Sequence, residues 1–208
     1  MDIILIKTEG IVWDEISGYL GLLTYSRRKG ILAKKVERDR INSLLSQLLV
    51  LSEIERRTGK SGNKIKFVFG SYGKPYLKNS DLQFSLTHTD GAVAAAFAQG
   101  EEIGIDIERK DRRVSETLCK RVLSDEESFH MTCNSDFLRF WVQKEAFLKR
   151  LGVGISRDLR GVNSLELPDT TAIDYKDFFL GISGKGAHDA AIKQMELSEL
   201  LDRFNKLL

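Results

Sequence analysis

The sequence predicts an α+β fold of two similar halves that meet near residue 100, and three observations carry that prediction. Each half holds one long stretch with apolar residues at helical spacing. Each of those stretches ends on a glycine. Short segments of strand-like alternation lie between and after them. With 208 residues, the chain suffices for one large domain or two compact halves of about 100 residues each.

Taken in order, residues 3–7 and 11–13 read as short strands. From Val36 to Arg57, Ile41, Leu44, Leu45, Leu48 and Leu49 fall at i, i+3, i+4, i+7 and i+8, the stripe of a helix packed on a core. Gly59 opens the GKSGN turn that ends it. Residues 65–69 alternate, SYGKP is a turn, and 82–87 and 92–98 are strands joined at His88–Gly91. Ile103, Ile105 and Ile107 alternate with Gly104, Asp106 and Glu108, so 103–108 is a strand with one apolar face.

Ser124 followed by Glu127 forms a capping box that opens a helix. Asn134 or Ser135 caps the second long helix, which carries Leu138, Trp141, Val142, Glu145, Leu148 and Lys149 and ends at Gly152. Beyond Ile155 the signals weaken. A strand is expected near 177–182, a Gly-rich turn at 183–186, another strand near 187–193 and a closing helix over 196–207.

Composition narrows the class. Hydrophobic residues make up 42% and charged residues 30%, an ordinary balance for a soluble globular protein. No apolar run approaches the roughly 20 residues that span a bilayer. The opening MDIILIKTEG lacks a basic region and a small-residue cleavage site, so it reads as a strand, not a signal peptide. Cys119 and Cys133 lack CxxC spacing and read as free, buried thiols in a reducing cytoplasm. Three scattered histidines give no support to a zinc site. A net charge of +2 argues against global design for nucleic acid, yet residues 27–40 hold seven Lys or Arg against two Asp or Glu. Such a patch suits a phosphate-bearing ligand, or a solvated helix flank.

Asp106 and Glu108 are two apart on a strand, so their side chains share a face about 7 Å apart along the backbone. Such a face is either solvent-exposed or holds a cation between the two charges. On the second long helix, Trp141, Glu145 and Lys149 share a face. Trp141 favours partial burial, and a carboxylate there needs a partner. If Glu145 meets Asp106 and Glu108, the three form a hard oxygen site suited to Mg²⁺, and Lys149 could hold a phosphate oxygen.

GIDIE (Gly104–Glu108), followed some 35 residues later by WVQKEAFLK (Trp141–Lys149), resembles the paired signature of the 4′-phosphopantetheinyl transferase superfamily. FSLTHTDG (Phe84–Gly91) is similar to that family's Phe-x-x-Ser-His-Ser strand end, with Thr87 and Thr89 where serines are usual. YGKPYL (Tyr72–Leu77) resembles its Gly-Lys-Pro turn, and DRINSLLSQLLV (Asp39–Val50) its nucleotide-facing helix. The likeness covers about residues 25–155. Length and motif order match the double-length surfactin type, which implies halves 1–100 and 101–208 related by a pseudo-two-fold. Each half would carry a long helix on a small, mostly antiparallel sheet, with the ligand bound between halves.

The resemblance implies transfer of 4′-phosphopantetheine from coenzyme A to a serine of an apo acyl or peptidyl carrier protein, releasing 3′,5′-ADP. Asp106, Glu108 and Glu145 would hold Mg²⁺ with the pyrophosphate, and Lys149 would contact the same phosphates. Arg40, Lys74, Pro75, Thr87 and His88 would meet coenzyme A. The base for the serine would be Glu145 or a water beside it. Arg27, Arg28, Lys29, Lys34 and Lys35 divide between nucleotide, carrier and solvent. Glu127 is accounted for by its capping role, and Lys144 ranks below Lys149 as a phosphate ligand. A cytoplasmic monomer without nucleic-acid or membrane partners is expected. Two alternatives stay open: another Mg²⁺-dependent phosphoryl-transfer enzyme, and a non-catalytic module binding coenzyme A or a carrier.

Overall fold

A computed structural model describes residues 1–154 and 158–205. It has four layers, a helix, two sheets and a second helix, and each layer follows from the alternation of its residues. Strand β1 (Asp2–Lys7) pairs antiparallel with β5 (Ala92–Gln99), which pairs antiparallel with β4 (Leu82–Thr89). Strand β9 (Ala191–Gln194) adds to β1 in parallel, giving the order β4-β5-β1-β9. A second, antiparallel sheet has the order β6-β8-β7, from β6 (Gly104–Arg109), β7 (Thr170–Tyr175) and β8 (Phe178–Ser183). A two-stranded ribbon pairs β2 (Phe67–Phe69) with β3 (Pro75–Leu77).

Both faces of the first sheet are apolar because both are covered. Ile4, Ile6, Val93, Ala95 and Phe97 pack on the Ile41–Leu49 stripe of α3 (Glu37–Thr58). Ile3, Leu5, Ala92, Ala94 and Ala96 face the second sheet, where Ile103, Ile105, Ile107, Leu180 and Ile182 meet them. The outer face of that second sheet, including Phe179, packs on Phe137, Leu138 and Val142 of α6 (Asn134–Leu151). The mixed α+β class, both long helices and their glycine stops are as expected, with Gly59 and Gly152 both in the left-handed region at φ 66°.

Several elements differ from expectation. Residues 13–16 form helix α1, not the end of a strand, with Asp14 and Glu15 favourably placed in its first turn. Tyr25–Leu32 forms α2 within the basic stretch, and Glu116–Val122 forms α4. Strand β7 was not marked by any alternation. The expected strand at 187–193 is a short 3-10 turn followed by β9. The closing helix, α7, spans Leu197–Asp202, and residues 206 and 207 of its expected range lie outside the described residues.

The Ser124–Glu127 capping box is formed in full and opens α5 (Asp125–His130). Asn134 does not cap α6. Its amide instead donates to the Arg112 carbonyl at 2.7 Å and accepts from Val114 N at 3.0 Å. Asp136 caps the helix by accepting from Thr132 N and Cys133 N. Both cysteines are free, but Cys133 is exposed and Cys119 half-buried, so neither is the buried thiol expected. Among the described residues no helix is long and apolar enough to cross a membrane.

Candidate active site

The site forms where the edges of the two sheets meet beneath α6. Strand β6 alternates, so Gly104, Asp106 and Glu108 face α6 while the isoleucines face the other sheet. A Cβ at Gly104 would stand 1.9 Å from the Ala146 carbonyl oxygen, and one at Gly181 would stand 1.9 Å from that of Val142. Two glycines on adjacent strands thus let α6 lie directly on the sheet. Asp106 is therefore not on a solvent-exposed face: it is 7% exposed and lies under the helix that carries Glu145, itself 5% exposed.

The edge of β4 is stitched to β6 by three hydroxyls. Ser85 accepts from Ile105 N at 3.2 Å, Thr87 donates to Asp106 Oδ1 at 2.9 Å, and Thr89 donates to Glu108 Oε2 at 3.4 Å. Lys149 Nζ closes a triangle, 2.7 Å from Asp106 Oδ1 and 3.1 Å from Thr87 Oγ1. Thr87 is 4% exposed, so its hydroxyl is occupied within this triangle.

The charge balance is strained. Burial, then the charge of Asp106, pushes Glu145 up to about 7, and Glu108 is pushed up to about 7 by the same two causes. Glu145 Oε1 is buried with no hydrogen-bond partner. Glu108 forms an ion pair with Arg112 and accepts from the Trp141 indole. Among the described residues, no three acidic, histidine or cysteine side chains converge as a ready-made metal cage. The chemistry nevertheless fits a hard divalent cation: Glu108 and Glu145 both feel the charge of Asp106, both resist ionisation, and one Glu145 oxygen is orphaned.

The other predicted ligand contacts lie on two sides. A cleft of about 220 Å³ is lined by Lys74, Pro75, Phe84, Leu86, Lys149 and Gly152, drawing on both halves. The Lys74 ammonium is committed to the Arg150 carbonyl at 2.6 Å, and burial pushes its pKa down. His88 stands exposed on the α3 face of β4. Crowding by protein, then Lys149 and Lys34, hold its pKa below the ordinary 6.5. Arg40, on α3, lies 5.4 Å over Trp13 and its buried Nε has no partner. Of the basic stretch, Lys34 couples to His88, whereas Arg27 lies over Phe67 at 4.3 Å and lines a different groove. Lys29 and Lys35 are exposed.

Lys144 is excluded from ligand contact. It is 0% exposed, pairs with Glu127 at 2.5 Å, and donates to the Val122 and Leu159 carbonyls. Burial alone would raise the pKa of Glu127, but Lys144 and Ser164 outweigh it and hold the carboxyl low. Arg112 was missed by sequence reasoning. A lone arginine four residues after Glu108 carries no motif, and only its place over Trp141 gives it meaning.

Comparison with known proteins agrees with this geometry. Residues 102–192 match the family model for the 4′-phosphopantetheinyl transferase superfamily. The chain is 29% identical over 173 residues to 4′-phosphopantetheinyl transferase Sfp of Bacillus subtilis, covering 76% of each chain. It is 33% identical over 167 residues to the L-aminoadipate-semialdehyde dehydrogenase-phosphopantetheinyl transferase of Saccharomyces cerevisiae, covering 73% of this chain and 61% of that one. The protein of the same name from Candida glabrata is 30% identical over 159 residues, covering 69% and 60%. The chain thus spans about 60% of the length of the two yeast relatives. Strand β6, α6 and the whole Gly104–Lys149 site lie inside the segment that matches the 4′-phosphopantetheinyl transferase superfamily, and over most of its length the chain is similar to transferases of that kind.

Proposed function

We propose that this protein transfers the 4′-phosphopantetheine arm of coenzyme A to a serine of an apo acyl or peptidyl carrier protein, with Mg²⁺, releasing 3′,5′-ADP. The observation that carries the reading is the assembly of buried Asp106 and Glu145 with half-buried Glu108 and Lys149, the lysine also lining the cleft beside Lys74. Coenzyme A would lie in that cleft, between residues 1–100 and 101–208 as two halves related by a pseudo-two-fold. Arg40, Lys34 and His88 would meet its nucleotide end, and Lys74 and Pro75 would wall its side.

Asp106, Glu108 and Glu145 would hold Mg²⁺, which as a Lewis acid would offset charge on the pyrophosphate oxygens. Lys149 would hold a phosphate oxygen while remaining hydrogen-bonded to Thr87. The serine oxygen bonds to the phosphorus that carries the pantetheine arm, and the bond from that phosphorus to 3′,5′-ADP breaks with its electron pair. Glu145, whose Oε1 is buried without a partner, or a water beside it would take the serine proton. A groove lined by Leu118, Lys120, Arg121, Trp141 and Arg160 shares Trp141 with the acid cluster. Its basic rim supports an acidic acceptor surface. A cytoplasmic monomer is consistent with both halves lying in one chain.

The test is incubation with coenzyme A, Mg²⁺ and several apo carriers, followed by intact-mass spectrometry of each carrier. A mass gain of one phosphopantetheine arm is expected. Absence of that gain on every carrier tried would overturn the proposal.

A further inference from the structure

Two cations sit on the carboxylates that a divalent ion would need. Lys149 is on Asp106 at 2.7 Å, and Arg112 is on Glu108. Among the described residues Glu145 has no counter-ion within ion-pair distance, and its Oε1 is buried without a hydrogen-bond partner. Three carboxylates therefore face two cations, and among the described residues the carboxylates do not converge as a metal cage.

The two cations are not equivalent. Lys149 is on α6, and although its side chain is 31% exposed its ammonium is held by two hydrogen bonds, to Asp106 and to Thr87 on β4. Arg112 is on the loop after β6. Its backbone is clamped, since Asn134 donates to its carbonyl and accepts from Val114 N two residues on. Its side chain is 34% exposed and lies 5.3 Å over the Trp141 ring. A clamped backbone with a half-free guanidinium allows the side chain to leave without unfolding the loop. Glu108 would keep its bonds to Thr89 and Trp141 when that happens.

We propose that Arg112 is the resident counter-ion of Glu108, an internal competitor that a divalent cation displaces when it takes that carboxylate. Coulomb's law gives the direction: a fixed positive charge within hydrogen-bond reach of a ligand oxygen opposes a second cation there. The guanidinium also neutralises a buried carboxylate that would otherwise stand uncompensated beside Asp106. Arg112 is thus a positioning residue, holding the ligand set apart until the ion arrives. This inference rests on the metal reading of the acid cluster given above.

The experiment titrates the full-length protein with Mg²⁺ alone at pH 8, in a Trp13→Phe background so that Trp141 is the remaining tryptophan. Trp141 fluorescence and calorimetry report binding in wild type, Arg112→Gln and Arg112→Lys. Arg112→Gln is expected to bind Mg²⁺ about tenfold more tightly, and to lose most of the fluorescence change that departure of the guanidinium produces. Arg112→Lys, which keeps the charge, is expected to return towards wild-type affinity and guards against a folding artefact in the first variant. Equal or weaker affinity in Arg112→Gln overturns the inference. So does failure of Mg²⁺ to bind any of the three proteins, since nothing would then displace the arginine. The carrier mass assay separates the two readings, because transfer that persists in either failing case leaves the proposed function standing.

Discussion

Asp106 governs the protonation of its neighbours. Glu108 and Glu145 are both raised to about 7 from an ordinary 4.5, by burial first and by Asp106 second. Between those two values the native state holds more protons than the unfolded chain, so stability of the metal-free protein falls as pH rises from about 4.5 to about 7. At about 1.4 kcal/mol per unit the two glutamates together set an upper bound of about 7 kcal/mol, and relaxation of the site brings the loss to a few kcal/mol. Urea unfolding in chelator at pH 5 and pH 8 measures it, and saturating Mg²⁺ should close most of the gap. Asp106→Asn should make the profile shallower without abolishing it, because it removes the second cause and leaves burial, and it should abolish transfer. An unchanged slope in that variant would detach the two glutamates from Asp106. The acid residues themselves were legible in the sequence, since i and i+2 on a strand, and Glu145 on the Trp141 face of a helix, follow from backbone period alone. Their burial was not, because it depends on how closely a helix 35 residues away can approach.

That approach is a property of elements, and it is set by two residues without side chains. Gly104 could be read from the sequence as part of a motif, but not as a contact with Ala146, and Gly181 carried no signal at all. In Gly104→Ala the added carbon meets backbone, which cannot rotate away, so α6 must lift from β6. The cost should reach the upper end of the roughly 1–3 kcal/mol typical of overpacking. For a chain of this size that is a fall of about 6–12 °C in Tm. Glu145 and Lys149 would move together, and calorimetric Mg²⁺ binding should weaken with stability. A variant that melts like wild type would mean that the helix has more clearance than these distances allow.

On the opposite side of α6, Lys144 ties that helix to α5 through Glu127 and to the segment around Leu159. Lys144→Met should cost about 3–5 kcal/mol, the price of leaving a buried carboxylate unpaired. Adding Glu127→Gln should recover part of that, and strict additivity in the double-mutant cycle would argue that the pair is not coupled. The capping box was visible in the sequence because it is local. The ion pair was not, since Lys144 at helical spacing looks like any surface lysine until its other neighbours are known. The long amphipathic helices were legible for the same reason as the box: their period is written within a single segment. Helices α2 and α4 and strand β7 are short, with patterns that tertiary packing alone makes decisive.

Across the whole molecule, the segments before and after residue 100 are joined too thoroughly to act as separate folding units. Ile3, Leu5 and three alanines of β5 form one core with Ile103, Ile105, Ile107, Leu180 and Ile182. The chain then returns, placing β9 beside β1 and Met195, Leu200 and Phe204 in the core beneath α3. Arg203, just after α7, reinforces this return by pairing at 2.7 Å with Glu53, a 1% exposed residue of α3. An N-terminal half without residues 103–205 would expose an apolar sheet face and lack its edge strand, so neither half can bury its surface alone. Unfolding should therefore be one cooperative transition. Trp13 lies in the first half and Trp141 in the second, so Trp13→Phe and Trp141→Phe each leave a reporter for one half. Fluorescence midpoints in urea should coincide between the two variants, each corrected for its own stability by far-ultraviolet circular dichroism. Separate midpoints, with one half melting while the other keeps its signal, would show that the shared core does not couple them. Coincidence matters for function as well, because the cleft draws Lys74 from one half and Lys149 from the other. A cleft built across a single cooperative body keeps those two walls in register without any ligand to hold them.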